Sequence, residues 1–438
     1  MAVNTENEVY LSLMASPDFT PLAMAFVEKA AFGLKLGQAE ALSLTLATEE
    51  IFSYLCRVAM PDQPVEIRCS SGGYYVKADF IFSAEDFNMR AFNVTATVSF
   101  DDEASLEEMG LLIASRSVER FYVSEEKDNR MRLTLIKEKA YPEGISLDVP
   151  EVKPFMEFSI REPDPDELKL FVMLVKHYYQ GQITPNAFKY PGKVVDMVDG
   201  GEYQGALAIG KGGEVGGGII WRWSGLKTIE CFGPYIFNQA YDSPMANDLL
   251  ETCLGSIAKT HAVGLINLFP THDLPGKYFE PLGTLKIFTS RDQSSSVTAY
   301  FRQMQEDPGT SVWSPPELEE FLQREYKRLF FPRQILPARD LGEMKSPFSV
   351  LSAEVDRSQD MVTLRPIRSG TDAYRNLSDH LSLFSRESIY NIFFEMDLGR
   401  PWESEFVPGL LKSGFKPKLV MPYAGKGDIV IFQLDREL

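Results

Sequence analysis

The chain has 438 residues, 44% of them hydrophobic and 24% charged; this is ordinary globular composition, and the length exceeds what one core covers, so two or three domains are expected. Lys and Arg number 44 against 62 Asp and Glu, a formal charge of -18, and that field repels phosphate backbones and anionic membranes, which excludes nucleic acid and lipid surfaces as partners. No run approaches the roughly 18 apolar residues of a membrane span.

The N-terminal MAVNTENEVYLSLM has no basic region ahead of an apolar stretch, unlike a secretory leader, so a cytoplasmic protein is expected. Residues 39–59 have apolar Leu44, Ala47, Ile51, Leu55 and Val58 every three or four positions, which predicts a long helix. A hairpin follows, VEIRC against YYVKADFIF around SSGG, with Val76, Ala78, Phe80 and Phe82 alternating inward. A short helix, LEEMGLLIASRSV, precedes a second hairpin, RFYVSEE against RMRLTLIKE, turning at Lys127-Asp128-Asn129. Helices on one face of an antiparallel or mixed sheet satisfy this order. Residues 141–155 hold three prolines and little periodicity and are expected to link domains.

Beyond the linker a strand (FSIREP) leads into a helix opened by proline and acidic residues, PDPDELKLFVMLVKHYY. Strand-like runs follow at VVDMV, GALAIG, GEVGGGIIWRW and LKTIECFGPYIF. Next come a long helix (SPMANDLLETCLGSIAKTH), a strand (AVGLINLF), a short helix near GKYFEPL, and the strands TLKIFT and SVTAYFRQM. The glycines of 199–218 include no Gly-Lys-Ser/Thr and fit hairpin turns and thin strands rather than a phosphate loop. Segment 306–346 has the pattern of a helical, proline-bearing connector. NLFPTHDL (267–274) and NIFFEMDL (391–398) share Asn-x-Phe-x-x-x-Asp-Leu, and SIREP (159–163) echoes TLRPI (363–367). On those echoes, 360–438 is a truncated duplicate without the middle strands and the long helix, packed against the first copy. The fold class expected is α/β (α+β).

Cys56, Cys69, Cys231 and Cys253 form no C-x-x-C pair, and His177, His261, His272 and His380 are dispersed. Neither set predicts a disulfide framework or a metal centre.

LATEEIFSYLCRVA, with MGLLIASRSVERFYVSEEKDNRMRLTLIKE about fifty residues on, resembles the anti-sigma-factor serine-kinase branch of the histidine-kinase-type ATPases over residues 1–140. The resemblance implies a sandwich of helices on a mixed sheet, ATP with Mg²⁺, and serine-kinase activity toward a signalling protein. It places Glu50 at the acidic position, Ser53 near it, Asp86 in the adenine loop, and Gly110-Leu111 at the second glycine turn. Four residues after Glu50, where the family has the Mg²⁺-holding Asn, stands Tyr54, and SAEDFNMRAF has no glycine. A phenol is a poor Mg²⁺ ligand.

The element order of 156–305, with KYFEPLGT placed like the late helix and its Tyr-Glu-x-x-Gly ending, resembles GNAT-type N-acetyltransferases, with 306–359 as connector and 360–438 as partial repeat. This implies an acetyl-CoA-dependent activity. The family's pyrophosphate loop falls on Asn238, Gln239 and Ser243, but Asp242 and Pro244 stand where glycines are expected, and Asp-Ser-Pro is equally a helix cap. The family's thiolate-protonating tyrosine aligns with Phe279; Tyr278, one place earlier, is the candidate acid. Two sites lacking their phosphate-cradling glycines favour a regulatory protein that docks a signalling partner and holds a small acyl-CoA or nucleotide. The alternatives are an N-acetyltransferase with atypical pyrophosphate contacts and a serine kinase.

Overall fold

The amphipathic stripe at the start of the chain folds as predicted, and the sheet it packs on sets the first unit. In the computed structural model, which describes residues 8–435 except 61, 85–86, 98–107, 127, 129, 145–148, 241–242, 291–292, 339–341 and 343–344, the mixed α/β chain forms two units. Unit 1 comprises Met1–Tyr141 with Ser346–Ser352 and Gly370–Asp372; unit 2 comprises Pro142–Lys345, Ala353–Ser369 and Ala373–Leu438.

Unit 1 holds β1 (Glu8–Met14), α1 (Thr20–Gly33), α2 (Gln38–Val58), β2 (Pro64–Ser71), β3 (Tyr75–Phe82), α3 (Met109–Ser117), β4 (Arg120–Glu125) and β5 (Met131–Glu138). The sheet order is β1-β2-β3-β5-β4. Of the two arrangements left open by sequence, every pair is antiparallel. Leu44, Ala47, Ile51 and Leu55 of α2, and the alternating Val76, Ala78, Phe80 and Phe82 of β3, are fully buried. The Asn93 carboxamide, itself buried, donates to Ser349 O (2.9 Å) and accepts from Leu351 N (3.0 Å), so it pairs with that backbone as a strand would.

Unit 2 begins with β6 (Phe158–Arg161) and α4 (Pro165–Tyr178). Asp164 and Glu167 close a reciprocal capping box with Pro165 at the first turn, so the predicted helix start is seated by its own side chains. VVDMV, read as a strand from its β-branched valines, is instead part of α5 (Pro191–Asp199). Pro191 opens the helix and Val194 and Met197, three apart, are buried with it, so tertiary burial overrides strand propensity. There follow β7 (Tyr203–Gly210), β8 (Val215–Trp223), β9 (Thr228–Ile236), α6 (Met245–Ile257), β10 (Gly264–Asn267), β11 (Glu280–Phe288) and β12 (Ser294–Gln303). The order β11-β12-β10-β9-β8-β7-β6 makes one seven-stranded sheet, whose one parallel pair among the described residues is β9 with β10. The glycines of β8 serve close packing: a Cβ on Gly218 would meet Phe171 of α4 at 2.7 Å. KYFEPLGT is not a helix; a single 3-10 turn, Gly276–Tyr278, ends where β11 begins at Glu280, Pro281 taking a strand position opposite Tyr300.

Segment 306–346 is more than a connector. β13 (Thr310–Ser314) and β14 (Arg333–Pro337) pair in parallel around α7 (Pro316–Leu329). Arg333, with no exposed side-chain surface, lies 2.7 Å from both Asp307 and Asp428, and its guanidinium sits 4.4 Å from the Tyr423 ring centroid.

The last part forms the sheet β15-β16-β17-β19-β18 from β15 (Val350–Asp356), β16 (Met361–Arg368), α8 (Ala373–Arg386), β17 (Asn391–Asp397), α9 (Val407–Lys412), β18 (Phe415–Met421) and β19 (Ile429–Leu434). Its run β16-β17-β19-β18, with β16 and β17 parallel, has the order of β9-β10-β12-β11. A long helix, the 14-residue α8, therefore joins its two parallel strands, where the echoes lead one to expect none. TLRPI lies in β16, the counterpart of β9 and not of the SIREP strand β6. The echo is a likeness of residues without equivalence of place.

The two sheets meet through β11, the edge strand of the larger one. Asn391 accepts from Phe288 N (2.8 Å) and donates to Phe288 O (2.9 Å); Gln433 accepts from Lys286 N (3.0 Å) and donates to Lys286 O. Both carboxamides are 1% exposed. Buried backbone groups left unpaired are costly. Replacing either Asn391 or Gln433 by Ala is expected to destabilise unit 2 by about 1–3 kcal/mol, read as a lower urea midpoint.

Glu403 is a second buried point of the duplicate. It accepts from Asp397 N (2.7 Å) and pairs with Arg400 (3.3 Å), yet burial outweighs these and pushes its carboxyl up to about 8 from 4.5. The folded state then holds a proton that the unfolded state has released, so stability falls as pH rises between those two values and levels off above them. Urea midpoints at about pH 5 and about pH 9 are expected to differ less in Glu403→Gln than in the parent, because the amide cannot ionise.

Candidate functional site

β9 and β10 pair only through Thr228–Glu230 and Gly264–Ile266. Past that point they part, and the β9 edge from Gly233 to Ile236 faces no strand on that side. Side chains satisfy it instead. Asn267 donates to Gly233 O (2.9 Å), Thr271 to Pro234 O (2.6 Å), and the Tyr179 hydroxyl accepts from Ile236 N (2.5 Å). The carboxyl ends of neighbouring parallel strands are where open α/β sheets bind ligands. Just past the carboxyl end of β10 lies a cavity of about 200 Å³, walled by Gly181–Ile183 after α4, by Phe269, Pro270 and His272 of the loop after β10, and by Ile287, Ser295 and Val297 of β11 and β12.

His272 stands at this cavity in a chain of polar contacts. Its Nδ1 lies 3.1 Å from Gln182 Nε2, and its Nε2 lies 3.2 Å from Asp273 Oδ2. The Gln182 amide can only donate, so Nδ1 is the acceptor and Nε2 carries the proton toward Asp273. Tyr179 donates to the same Asp273 oxygen, and its ring stacks on the imidazole with centroids 5.4 Å apart. Burial, reinforced by Asp273, raises the Tyr179 phenol far above its ordinary range, so it stays protonated as that donor. In the sequence His272 is one of four dispersed histidines. The signal available was the Thr-His-Asp triplet directly after a strand.

The residues chosen from sequence fall elsewhere. Asn238, at a left-handed φ of 47°, donates to Val152 O (2.8 Å), and Gln239 accepts from Phe155 N (3.0 Å) while donating to Phe237 O (2.9 Å). Both hold the 152–155 segment beside the entry to α6. Ser243 Oγ lies 3.4 Å from Met245 N, in the manner of a cap; Tyr241 and Asp242 lie outside the described residues. The Tyr278 hydroxyl bonds Glu251 of α6 (2.9 Å), and Phe279 is buried against Tyr300. Along β11, Pro281 and Ile287 are six residues, roughly 20 Å, apart. Tyr278 precedes Pro281 and so sits far from the cavity wall at Ile287.

In unit 1, Glu50 and Gly110 come together: a Cβ on Gly110 would lie 2.5 Å from Glu50 Oε2. Burial, then repulsion from Glu49, raises the Glu50 carboxyl, with Arg57 opposing. Leu111 is a core residue and Ser53 half-buried; Asp86 lies outside the described residues. Tyr54, one turn from Glu50, is 7% exposed, packs edge-on to Phe87 at 5.6 Å and accepts from Asn88 N (3.3 Å). An aromatic pair thus fills the place where the resemblance requires a metal-holding amide. Among the described residues no cluster of His, Cys, Asp and Glu could hold a metal ion, and no helix is long and apolar enough to cross a membrane.

No family sequence model matches the chain, and no curated protein does. Among solved structures, an N-acetyltransferase from Staphylococcus aureus Mu50 is 14% identical, matching 34% of this chain and 99% of its own with a TM-score of 0.29. A GNAT superfamily phosphinothricin acetyltransferase from Sinorhizobium meliloti, in complex with AcCoA, is 13% identical over 33% of this chain and 88% of its own, TM-score 0.27. A GNAT family N-acetyltransferase from Escherichia coli, in complex with CoA, is 14% identical over 36% and 87%, TM-score 0.26.

Tyr179→Phe would leave Ile236 N–H without its acceptor and Asp273 without a donor. The variant is expected to lose about 1–3 kcal/mol in urea denaturation, the range for an orphaned buried group.

Proposed function

We propose that unit 2 carries an acyl-CoA-dependent N-acyltransferase site at the diverging ends of β9 and β10. The observation that carries this reading is the cavity just past the carboxyl end of β10, with a histidine on its wall that is tied through Asp273 and Tyr179 to the β9 edge. The element order that prompted the acetyltransferase resemblance accords with it. An acyl-pantetheine arm is an extended chain with amide groups, and the β9 edge between Gly233 and Ile236 offers main-chain partners to such a chain. Those groups already bond Asn267, Thr271 and Tyr179, so binding exchanges one set of hydrogen bonds for another. The main-chain pyrophosphate cradle implied by family resemblance is not the basis of this reading, since Asn238 and Gln239 are engaged with residues 152–155.

Acetyl-CoA at about a hundred times its dissociation constant is expected to stabilise the protein by about 2.7 kcal/mol, seen as a raised Tm. An unchanged Tm and no calorimetric heat with either acetyl-CoA or CoA would remove the reading.

A second reading attaches to unit 1, as a partner-docking module of a regulatory protein in place of a working kinase. It is favoured by the Tyr54–Phe87 pair and by the exposed Val9, Tyr10, Phe19, Leu22, Phe32 and Leu42 of its first three elements and the turn between them. A contiguous apolar patch built from these residues would be a protein contact surface. Mg-ATP is expected to leave the Tm unchanged; a saturable rise would restore the nucleotide-binding alternative.

A further inference from the structure

On the acyltransferase reading of this site, we infer that His272 is the base that takes a proton from the acceptor, that Asp273 and Tyr179 are positioning residues behind it, and that the acceptor is a primary amine on a small apolar body. The inference starts from the orientation of the imidazole. Asp273 receives the Nε2 proton, and Tyr179, held on the β9 main chain through Ile236, fixes Asp273 and stacks on the ring. The Nδ1 lone pair is left as the one acceptor of the ring, and in this structure the Gln182 amide donates to it from 3.1 Å. Gln182 and His272 both line the cavity. An ammonium N–H entering there replaces the amide as donor, since both offer the same kind of hydrogen to the same lone pair.

The rest of the wall sets the class of acceptor. Ile183, Phe269, Pro270, Ile287 and Val297 are apolar, Ser295 is neutral, and among the described residues no lysine or arginine lines the space. A cavity with a few placed polar groups in an apolar lining selects a body of that character and orients it by the polar end. A second ammonium would be left on apolar wall without a partner, which disfavours diamines.

The step balances as follows. Nδ1 takes one proton from the ammonium and the freed nitrogen lone pair forms the C–N bond with the thioester carbonyl. The C–S bond breaks with its electron pair on sulfur, and the second proton of the attacking nitrogen passes to that sulfur, giving amide and free thiol. The imidazolium then releases its proton to solvent. Asp273 stabilises the imidazolium while it exists, the part a carboxylate plays behind a histidine base.

The test uses the full chain with acetyl-CoA, and phenethylamine, putrescine and hydroxylamine as acceptors, following thiol release. Phenethylamine is expected to be acetylated with a higher kcat/KM than putrescine. His272→Ala, with unchanged circular dichroism, is expected to lose about a hundredfold or more in kcat on phenethylamine, the range for loss of a general base. It should keep the parent KM for acetyl-CoA and regain rate on adding imidazole. Its rate with hydroxylamine, which is uncharged at neutral pH and needs no base, should fall far less. Asp273→Asn is expected to lower kcat on phenethylamine while acetyl-CoA affinity is kept. If acetyl-CoA binds and amines are acetylated, but His272→Ala matches the parent or loses both acceptors equally without imidazole rescue, the inference is overturned and the acyltransferase reading stands. If acetyl-CoA is not bound, both fall together.

Discussion

Backbone polar groups on unpaired strand edges dominate this structure, and side-chain amides and hydroxyls are what pair them. An edge strand presents a row of donors and acceptors that must find partners or remain open to other chains. On β11 the partners are Asn391 and Gln433, which bond the backbone of Phe288 and Lys286 two residues apart, as a neighbouring strand would. Asn93 does the same for Ser349 and Leu351 inside unit 1. A carboxamide carries one donor pair and one acceptor, so it matches a peptide unit.

The same constraint shapes the cleft. Because β10 ends at Asn267 while β9 runs to Ile236, the longer strand has backbone without a strand opposite it. Asn267, Thr271 and Tyr179 answer that need, and in doing so they draw the loop after β10 across the opening. His272 and Asp273 ride on that loop. The polar chain at the cavity is therefore a consequence of how the strand edge is satisfied: Tyr179 is tied to β9 main chain, and the exposed His272 is oriented through Asp273 against it. Pre-organisation of this kind is what a site for proton transfer requires.

The two sheets share one strand order and put it to two uses. In the first, Asp273 of the shared Asn-x-Phe-x-x-x-Asp-Leu pattern faces His272 and Tyr179. In the second, Asp397 accepts from the backbone of Gly399, Lys426 and Gly427 and so folds a loop. The Asn of the pattern likewise closes the β9 edge in one copy and seals β11 in the other. A Cβ on Gly425 would meet the Asp397 carboxylate at 2.6 Å, which leaves no room for a ligand against that aspartate.

Periodicity by itself determined α2, both hairpins of unit 1, α4 with its capping residues and most strands of unit 2, because burial on one face and helix capping are local properties written every two or every three to four residues. Composition fixed the acidic surface. The motif-based choices of Tyr278, Asn238, Gln239 and Ser243 rested on spacing, and spacing does not say what else a side chain bonds: Tyr278 bonds the Glu251 carboxylate, while Asn238 and Gln239 bond neighbouring backbone. VVDMV became a helix because burial of Val194 and Met197 outweighed local preference. His272, Asp273, Gln182 and Tyr179 span about ninety residues of separation and share no pattern in the sequence. Only the tertiary structure joins them: the parting of β9 from β10 leaves Ile236 N–H for Tyr179, Tyr179 holds Asp273, and Asp273 holds His272, which with Gln182 lines the cavity.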